Sequence, residues 1–192
     1  MLERGGHGSD ACLDLDERDI VSNIKDPSEI ERTLGLTVYA TEPHSDRQVA
    51  ISKLTKERKG RKSLLAADSQ NDPAIESLRS LRTSLKFAML DAPNNIVLIT
   101  GPTPNIGKSF SAANFAAVLA AAGQSVLLID ADMRKGHIHQ FFGLVRGKGL
   151  SELITGSQSL SNVLRTAVSP GLDLITTGTM PPNPAELLMS PG

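Results

Sequence analysis

The sequence IVLITGPTPNIGKS, at residues 96–109, decides the fold. Its first five residues form a continuous apolar and β-branched run, which is typical of a strand buried on both faces of a parallel sheet. A loop of Gly, Pro and Asn follows, and the Ala-rich stretch from Lys108 to Ala122 predicts a helix that ends at Gly123. A second buried strand is predicted at Val126–Asp130. Strand, loop, helix and strand within about 35 residues form a βαβ unit with a right-handed parallel crossover.

The loop of this unit fits the phosphate-binding pattern GxxxxGK[S/T] except at its first position, where Pro102 stands and the glycine lies one residue earlier. Such a loop presents backbone N–H groups and a helix N-terminus to phosphates. A lysine then reaches the β- and γ-phosphates, and a hydroxyl helps to hold Mg²⁺. A Gly/Pro loop with an ordinary surface lysine is the alternative, which the position between strand and helix disfavours. The predicted nucleotide-binding residues are Gly101, Pro104, Asn105, Ile106, Gly107, Lys108, Ser109 and Phe110.

Two carboxylates follow the second predicted strand, in the sequence DADMR at residues 130–134. Ligands of open parallel sheets bind at the carboxyl ends of the strands. Beside a triphosphate, such carboxylates can hold Mg²⁺ and accept a proton from an attacking hydroxyl. The alternative is a solvated turn capped by Asp. The presence of the phosphate loop makes this alternative less favoured. His137 and His139 lie nearby, but their i, i+2 spacing and the lack of further ligands favour loop or capping roles over a metal site.

Composition excludes several classes of protein. The 192 residues contain 20 Lys+Arg against 21 Asp+Glu, so the whole chain has no charge bias toward nucleic acid or membranes. The one cysteine, Cys12, excludes a disulfide framework and a multi-cysteine zinc site. No apolar run is long enough to span a membrane, and no secretory signal opens the chain. Aromatic residues are only 3%, which argues against stacking on single-stranded nucleic acid. We expect a cytoplasmic α/β protein.

The N-terminal third differs in character from the rest. Residues 1–23 are polar and without periodicity, and we expect them to be disordered. A helical turn capped by Asp26 is predicted at Pro27–Leu34, followed by a short strand at Leu36–Ala40. The stretch Lys53–Lys62 then holds six basic residues and one acid. It is either a solvated linker or a patch that faces anionic lipid, and the sequence leaves both open.

From Asp72 onward the helix and strand signals are stronger. Asp72 followed by Pro73 predicts a helix start, and apolar residues then recur at helical spacing up to about Leu90. Short helices are predicted at 149–154 and 160–166, a third strand at 172–176, and a helix start at Asn183. In the helix that starts at Pro73, the apolar face consists of Ile75, Leu78, Leu81 and Leu85.

Together with the phosphate loop, three separate motifs in order resemble the cytoplasmic kinase domain of the bacterial tyrosine kinases, in the Wzc-like polysaccharide co-polymerase family. The phosphate loop is followed by LLIDADMR at residues 127–134, which resembles the family's Walker A′ motif. Residues 76–82, ESLRSLR, match its ExxRxxR oligomerisation motif, and MPPNPAELL at residues 180–188 also resembles a family segment. The similarity runs from about residue 24 to the end, which implies a juxtamembrane-like linker at 24–71 and the N-terminal part of a P-loop kinase domain at 72–192.

This resemblance implies the fold and the site. The fold is a P-loop NTPase-type α/β domain with a doubly wound, mostly parallel sheet, helices on both faces, and an incomplete C-terminal part. The cofactors are ATP and Mg²⁺, with Ser109 and Asp132 on the metal. Glu76, Arg79 and Arg82 would join subunits in a ring, whereas their i, i+3, i+6 spacing alone indicates a solvated face with an intrahelical ion pair. The catalytic residues would be Lys108, Asp130 as the base that polarises the tyrosine hydroxyl, Asp132 and Arg134.

The implied function is an ATP-dependent protein-tyrosine kinase, acting on itself or another protein, in exopolysaccharide or capsule export at the inner face of the inner membrane. Two alternatives remain open. A ParA/MinD-like regulatory ATPase carries a signature lysine where this chain has Thr103. A non-catalytic nucleotide-binding module is the other, because the family's Walker B strand and C-terminal tyrosine cluster are not found and the only tyrosine is Tyr39. For the same reason we expect a truncated chain, and the sequence leaves open whether it is active or inactive as a fragment.

Overall fold

The computed structural model describes residues 26–57 and 63–189, with residues 52–57 described by their backbone alone. The predicted disorder at 1–23 therefore lies outside the described residues, as does the second half of the basic run Lys53–Lys62. Contacts divide the chain into two compact units, Met1–Val38 and Tyr39–Gly192. The site predicted from the sequence falls entirely within the second unit.

The described part of the first unit contains one helix, α1 (Pro27–Leu34), as predicted. The Asp26 side chain accepts a hydrogen bond from the backbone N–H of Ser28 at 2.9 Å, which caps the helix start. Gly35 ends the helix with a left-handed φ of 65°. The strand predicted at Leu36–Ala40 is wrong, because no described strand pairs with these residues.

Three helices open the second unit: α2 (Asp46–Glu57), α3 (Leu65–Asp68) and α4 (Pro73–Ala88). Asp72 caps α4 through the backbone N–H of Ala74, and the predicted apolar face of α4 packs into the core. Leu64 and Leu65 are also buried in the core. Residues before position 72 therefore contribute to the core of this unit.

A long helix and three strands form the centre of the second unit. Helix α5 (Lys108–Ala121) packs against strand β1 (Val126–Ile129), as the βαβ prediction requires. Strands β2 (Leu164–Ser169) and β3 (Leu172–Ile175) complete a sheet of order β1-β3-β2, parallel between β1 and β3 and antiparallel between β2 and β3. This sheet is mixed, so the doubly wound, mostly parallel arrangement is not confirmed.

Two sequence predictions fail around this sheet. The helix predicted at 160–166 stops at Val163, and the chain continues as β2 because its backbone finds a partner in β3. The strand predicted at 96–100 has no strand assignment, and Ile96 and Leu98 are 76% and 82% exposed. A β-strand is stabilised only when its N–H and C=O groups are paired. None of the three described strands pairs with this segment.

The remaining helices are short: α6 (Ile138–Phe141), α7 (Leu150–Ile154), α8 (Leu160–Val163) and α9 (Pro184–Met189). The core has two neighbouring clusters, one where α5 meets the sheet and α6, and one where it meets α3 and α4. Across the described ranges, no helix has the length and hydropathy that a membrane crossing requires.

Candidate nucleotide and phosphotransfer site

The phosphate loop is shaped by two residues with positive φ. Asn105 has φ 63° and Gly107 has φ 97°, and the helix α5 begins directly after Gly107. No side chain caps this helix, and within residues 26–57 and 63–189 the backbone N–H groups of Gly107, Lys108 and Ser109 meet no acceptor. The positive end of the helix dipole and these free donors suit an anion such as a phosphate group.

Lys108 folds back over the loop. Its Nζ donates a hydrogen bond to the backbone carbonyl of Thr103 at 2.6 Å. The side chain of Ile106 lies against Gly101, where an added Cβ would come within 2.4 Å of the Ile106 Cδ1 atom. The lysine is therefore held at the loop that the sequence predicts for phosphates, and a side chain at position 101 would require the end of the Ile106 side chain to move.

The first carboxylate after β1 is buried. Asp130 is 2% exposed, and its carboxylate accepts hydrogen bonds from the backbone N–H groups of Asp132 at 3.3 Å and Ile138 at 3.0 Å. Because α5 and β1 are consecutive and packed together, the start of α5 and the carboxyl end of β1 lie at the same edge of the sheet. Asp130 thus stands at the predicted edge and also shapes the turn that follows it.

The second carboxylate is exposed. Asp132 Oδ1 accepts hydrogen bonds from the backbone N–H groups of Arg134 at 3.1 Å and Lys135 at 2.9 Å. Its other oxygen has no partner among the described residues, and the Arg134 side chain is exposed as well. Of the two carboxylates, Asp132 is therefore the one that reaches solvent.

Gly136 and Thr177 close the turn that follows β1. The sequence analysis did not single out either residue. Gly136 packs so tightly that an added Cβ would lie 1.8 Å from Thr177 Oγ1 and 2.6 Å from the backbone oxygen of Asp132. Thr177 is fully buried, two residues after the end of β3. A glycine six residues after a strand-end Asp was the only signal in the sequence for this contact.

Glu152 ties the segment after β3 to helix α7. Its carboxylate accepts hydrogen bonds from the backbone N–H groups of Gly149 at 2.7 Å and Thr179 at 3.0 Å, and from the Ser151 hydroxyl at 3.1 Å. Burial by itself raises the pKa of Glu152, but the hydrogen bonds from Thr179 and Gly149 outweigh it and lower the pKa to about 2. The sequence held one signal, a Glu three residues after the helix-start glycine.

A further carboxylate lies beside the first turn of α5. Glu42 Oε2 accepts a hydrogen bond from the Ser111 hydroxyl at 2.5 Å. Desolvation raises the pKa of Glu42 above its ordinary value, against the lowering effect of this hydrogen bond. The segment that carries Glu42 also receives hydrogen bonds from Ser77 and Ser84 of α4, on the backbone carbonyls of Thr41 and Tyr39. The sequence alone gave no sign of these contacts.

The predicted interface residues all lie on α4. Glu76 and Arg79 form an ion pair within the helix, as their spacing alone indicates, and Arg82 is half-buried one turn further on. His137 stands at the N-cap position of α6, as a capping role requires, whereas His139 is buried within this helix and not in a loop. The described residues contain no group of three or more His, Cys, Asp and Glu side chains arranged to hold a metal.

Comparison with known proteins agrees with the motifs. No family model matches the chain. The chain is 55% identical over 172 residues to a putative tyrosine-protein kinase EpsB of Ralstonia solanacearum, which covers 90% of this chain and 23% of that protein. It is 42% identical to the tyrosine-protein kinase etk of Escherichia coli K12, over 86% of this chain and 24% of that protein. The chain thus spans about a quarter of the length of these curated relatives.

Solved structures give the same result at the level of the domain. The BceF tyrosine kinase domain matches with a TM-score of 0.78 and 46% identity, over 86% of this chain and 66% of that one. The kinase domain of the Escherichia coli tyrosine kinase ETK matches with a TM-score of 0.78 and 43% identity, over 86% of this chain and 65% of that one. The fold is that of a P-loop NTPase-type kinase domain, and the chain belongs to the bacterial tyrosine-protein kinases.

Proposed function

We propose that this chain is the ATP-binding part of a protein-tyrosine kinase domain. One observation carries the proposal. The uncapped start of α5, which holds Lys108, lies at the same edge of the sheet as the Asp130–Arg134 turn after β1. A phosphate loop and paired carboxylates at one edge are what phosphoryl transfer needs. Relatives named as tyrosine kinases favour this reading over a ParA/MinD-like ATPase.

The free N–H groups at the start of α5 support binding of the ATP phosphates, with Gly101 and residues 104–110 around them. In this proposal Lys108 exchanges its contact with the Thr103 carbonyl for the phosphates. Ser109 and Asp132 supply the hydroxyl and carboxylate oxygens that Mg²⁺ prefers. The ion would neutralise charge on the phosphates, while Lys108 and the backbone orient them.

In the transfer step, the tyrosine oxygen bonds to the γ-phosphorus of ATP as the bond from that phosphorus to the oxygen bridging to ADP breaks. The phenolic proton passes to a carboxylate, which we assign to Asp130. Each Asp130 oxygen accepts one backbone N–H group, so each keeps a second lone pair for the hydroxyl. Arg134 is exposed beside this turn and is proposed to stabilise charge that builds up during transfer.

We further propose that the chain associates with itself through α4, acts on tyrosines of its own kind or of another protein, and serves exopolysaccharide or capsule export at the inner face of the inner membrane. Arg82 has no ion-pair partner within the described ranges, whereas Arg79 is paired with Glu76. One relative is named as a putative tyrosine-protein kinase in a cps region of Klebsiella pneumoniae. Mass measurement by sedimentation tests the association, which Arg82→Ala should weaken more than Lys86→Ala, a change on the exposed side of the same helix.

The kinase proposal is tested with the purified chain, Mg²⁺ and ATP. Calorimetry measures nucleotide affinity, and phosphotransfer to a tyrosine-rich acceptor is followed with labelled ATP. Lys108→Ala should abolish both, and Lys86→Ala, which removes an exposed lysine of α4 outside the phosphate loop, should change neither. Equal ATP affinity in wild type and Lys108→Ala, or no affinity in either, would overturn the assignment. Binding without transfer would reduce the proposal to a nucleotide-binding module.

A further inference from the structure

An open groove of about 570 Å³ lies beside the Asp130–Arg134 turn. Met133 and Arg134 form one wall, and the segment Met180–Glu186 forms the other. Because Met133 directly follows Asp132, the groove starts next to the exposed carboxylate of the candidate site. None of the residues assigned to the phosphate loop lines it.

The wall formed by the second segment is mostly apolar. It presents Met180, which is 42% exposed, together with Pro181, Pro182 and Ala185. Thioether and pyrrolidine groups offer polarisable, weakly hydrated surfaces on which an aromatic ring packs favourably. Met133, on the opposite wall, is 2% exposed and therefore fixed in place.

The two charges in the groove are not equivalent. Glu186 accepts a hydrogen bond from the Asn183 side-chain nitrogen at 3.0 Å, within the start of α9. The Arg134 guanidinium is exposed and forms no ion pair with any described residue. Glu186 likewise forms no ion pair with any described residue, so the groove holds one exposed cation and one carboxylate that is tied to Asn183. The Arg134 guanidinium fits a carboxylate or phosphate group of a ligand.

The apolar wall is anchored before any ligand binds. The backbone N–H groups of Leu150 and Ser151 donate to the carbonyls of Thr176 at 2.8 Å and Thr177 at 3.0 Å. Glu152 then accepts the backbone N–H of Thr179, the residue before Met180. A wall held in this way loses little conformational entropy on binding, which favours affinity.

We propose that this groove binds the acceptor segment, an extended acidic peptide whose tyrosine ring packs on Met180 and the neighbouring prolines and whose carboxylate pairs with Arg134. The inference rests on the proposed kinase function and names where that function takes its protein substrate. An aromatic ring suits the apolar wall, an acidic neighbour suits the free arginine, and the open shape suits a continuing chain.

The probe is a fluorescein-labelled synthetic peptide with a single tyrosine flanked by glutamates, and fluorescence anisotropy measures its affinity. Ala185→Trp fills the groove and should weaken binding about tenfold or more, as loss of an interface anchor does. Leu188→Ser is the matched control, because Leu188 is exposed on the same helix outside the groove, and it should leave the affinity unchanged. Replacing the peptide's tyrosine by alanine should weaken binding, whereas phenylalanine should retain most of it.

ATP affinity is measured by calorimetry on the same proteins. This measurement distinguishes a failure of the groove proposal from a failure of the nucleotide-binding proposal. We expect Ala185→Trp to bind ATP as wild type does. If wild type binds no peptide, or Ala185→Trp binds it equally well, the groove assignment is overturned and the nucleotide assignment stands. If Ala185→Trp instead loses ATP affinity, the groove holds part of the nucleotide. Thermal denaturation followed by circular dichroism confirms that each variant is folded.

Discussion

Asp130 and Ile138 are joined by a hydrogen bond of 3.0 Å from the backbone N–H of Ile138 to the buried carboxylate of Asp130. The bond spans the whole turn between β1 and α6. Asp130 therefore combines a structural role with the proposed catalytic one, whereas the exposed Asp132 accepts only neighbouring backbone N–H groups. The fold therefore depends more on the Asp130 carboxylate than on the Asp132 carboxylate.

Substitution of each Asp by Asn should separate these roles. Asp130→Asn replaces one acceptor oxygen by an NH₂ group that faces a backbone donor, which costs about 1–3 kcal/mol. Asp132→Asn keeps Oδ1 and should change stability by less than about 0.5 kcal/mol. Urea denaturation measures both, and phosphotransfer should fall in both. Equal stability of the two variants would contradict the structural role of Asp130.

Glu152 should make stability depend on pH in the acid range. Its pKa is about 2 in the folded protein and near 4.5 in the unfolded chain. The unfolded state therefore binds a proton first, and stability that is present above about pH 5 is lost as the pH falls toward 2. Glu152→Gln should be less stable at pH 7 and should lose less between pH 7 and pH 3. Parallel pH curves from denaturant titrations would refute this assignment.

Glu42 should change the pH dependence of stability in the opposite direction to Glu152. Desolvation raises its pKa in the folded protein, so the unfolded chain ionises more readily and the charged form costs stability at neutral pH. Glu42→Gln should therefore raise the melting temperature at pH 7, with the gain shrinking as the pH falls through the pKa. Ser111→Ala removes the hydroxyl that opposes this shift and should raise the pKa of Glu42 further, as NMR titration would show. A lower melting temperature in Glu42→Gln at pH 7 would contradict the sign.

The sequence predicted what depends on near neighbours. Asp72 followed by Pro73 fixes a helix start through contacts within two residues, and the structure has that cap. The phosphate loop likewise depends on a short run of residues. Glu42 meets Ser111 across 69 positions of the chain, and β2 forms because β3 accepts it as a partner. Such features depend on which segments of the chain contact each other, and a local sequence pattern does not predict these contacts.

The exposed run at 96–100 gives the last prediction. Leu98 is 82% exposed, and Leu127 and Ile129 on β1 are 51% and 44% exposed. Exposed apolar side chains of this kind bind hydrophobic dyes and promote association. Leu98→Lys should therefore lower dye fluorescence and self-association while changing stability by less than about 0.5 kcal/mol. Leu174→Lys, which buries a charge at a fully buried position of β3, should unfold the domain. If Leu98→Lys destabilised the chain as strongly as Leu174→Lys, residues 96–100 would be packed in solution, and the exposure of this segment would be refuted.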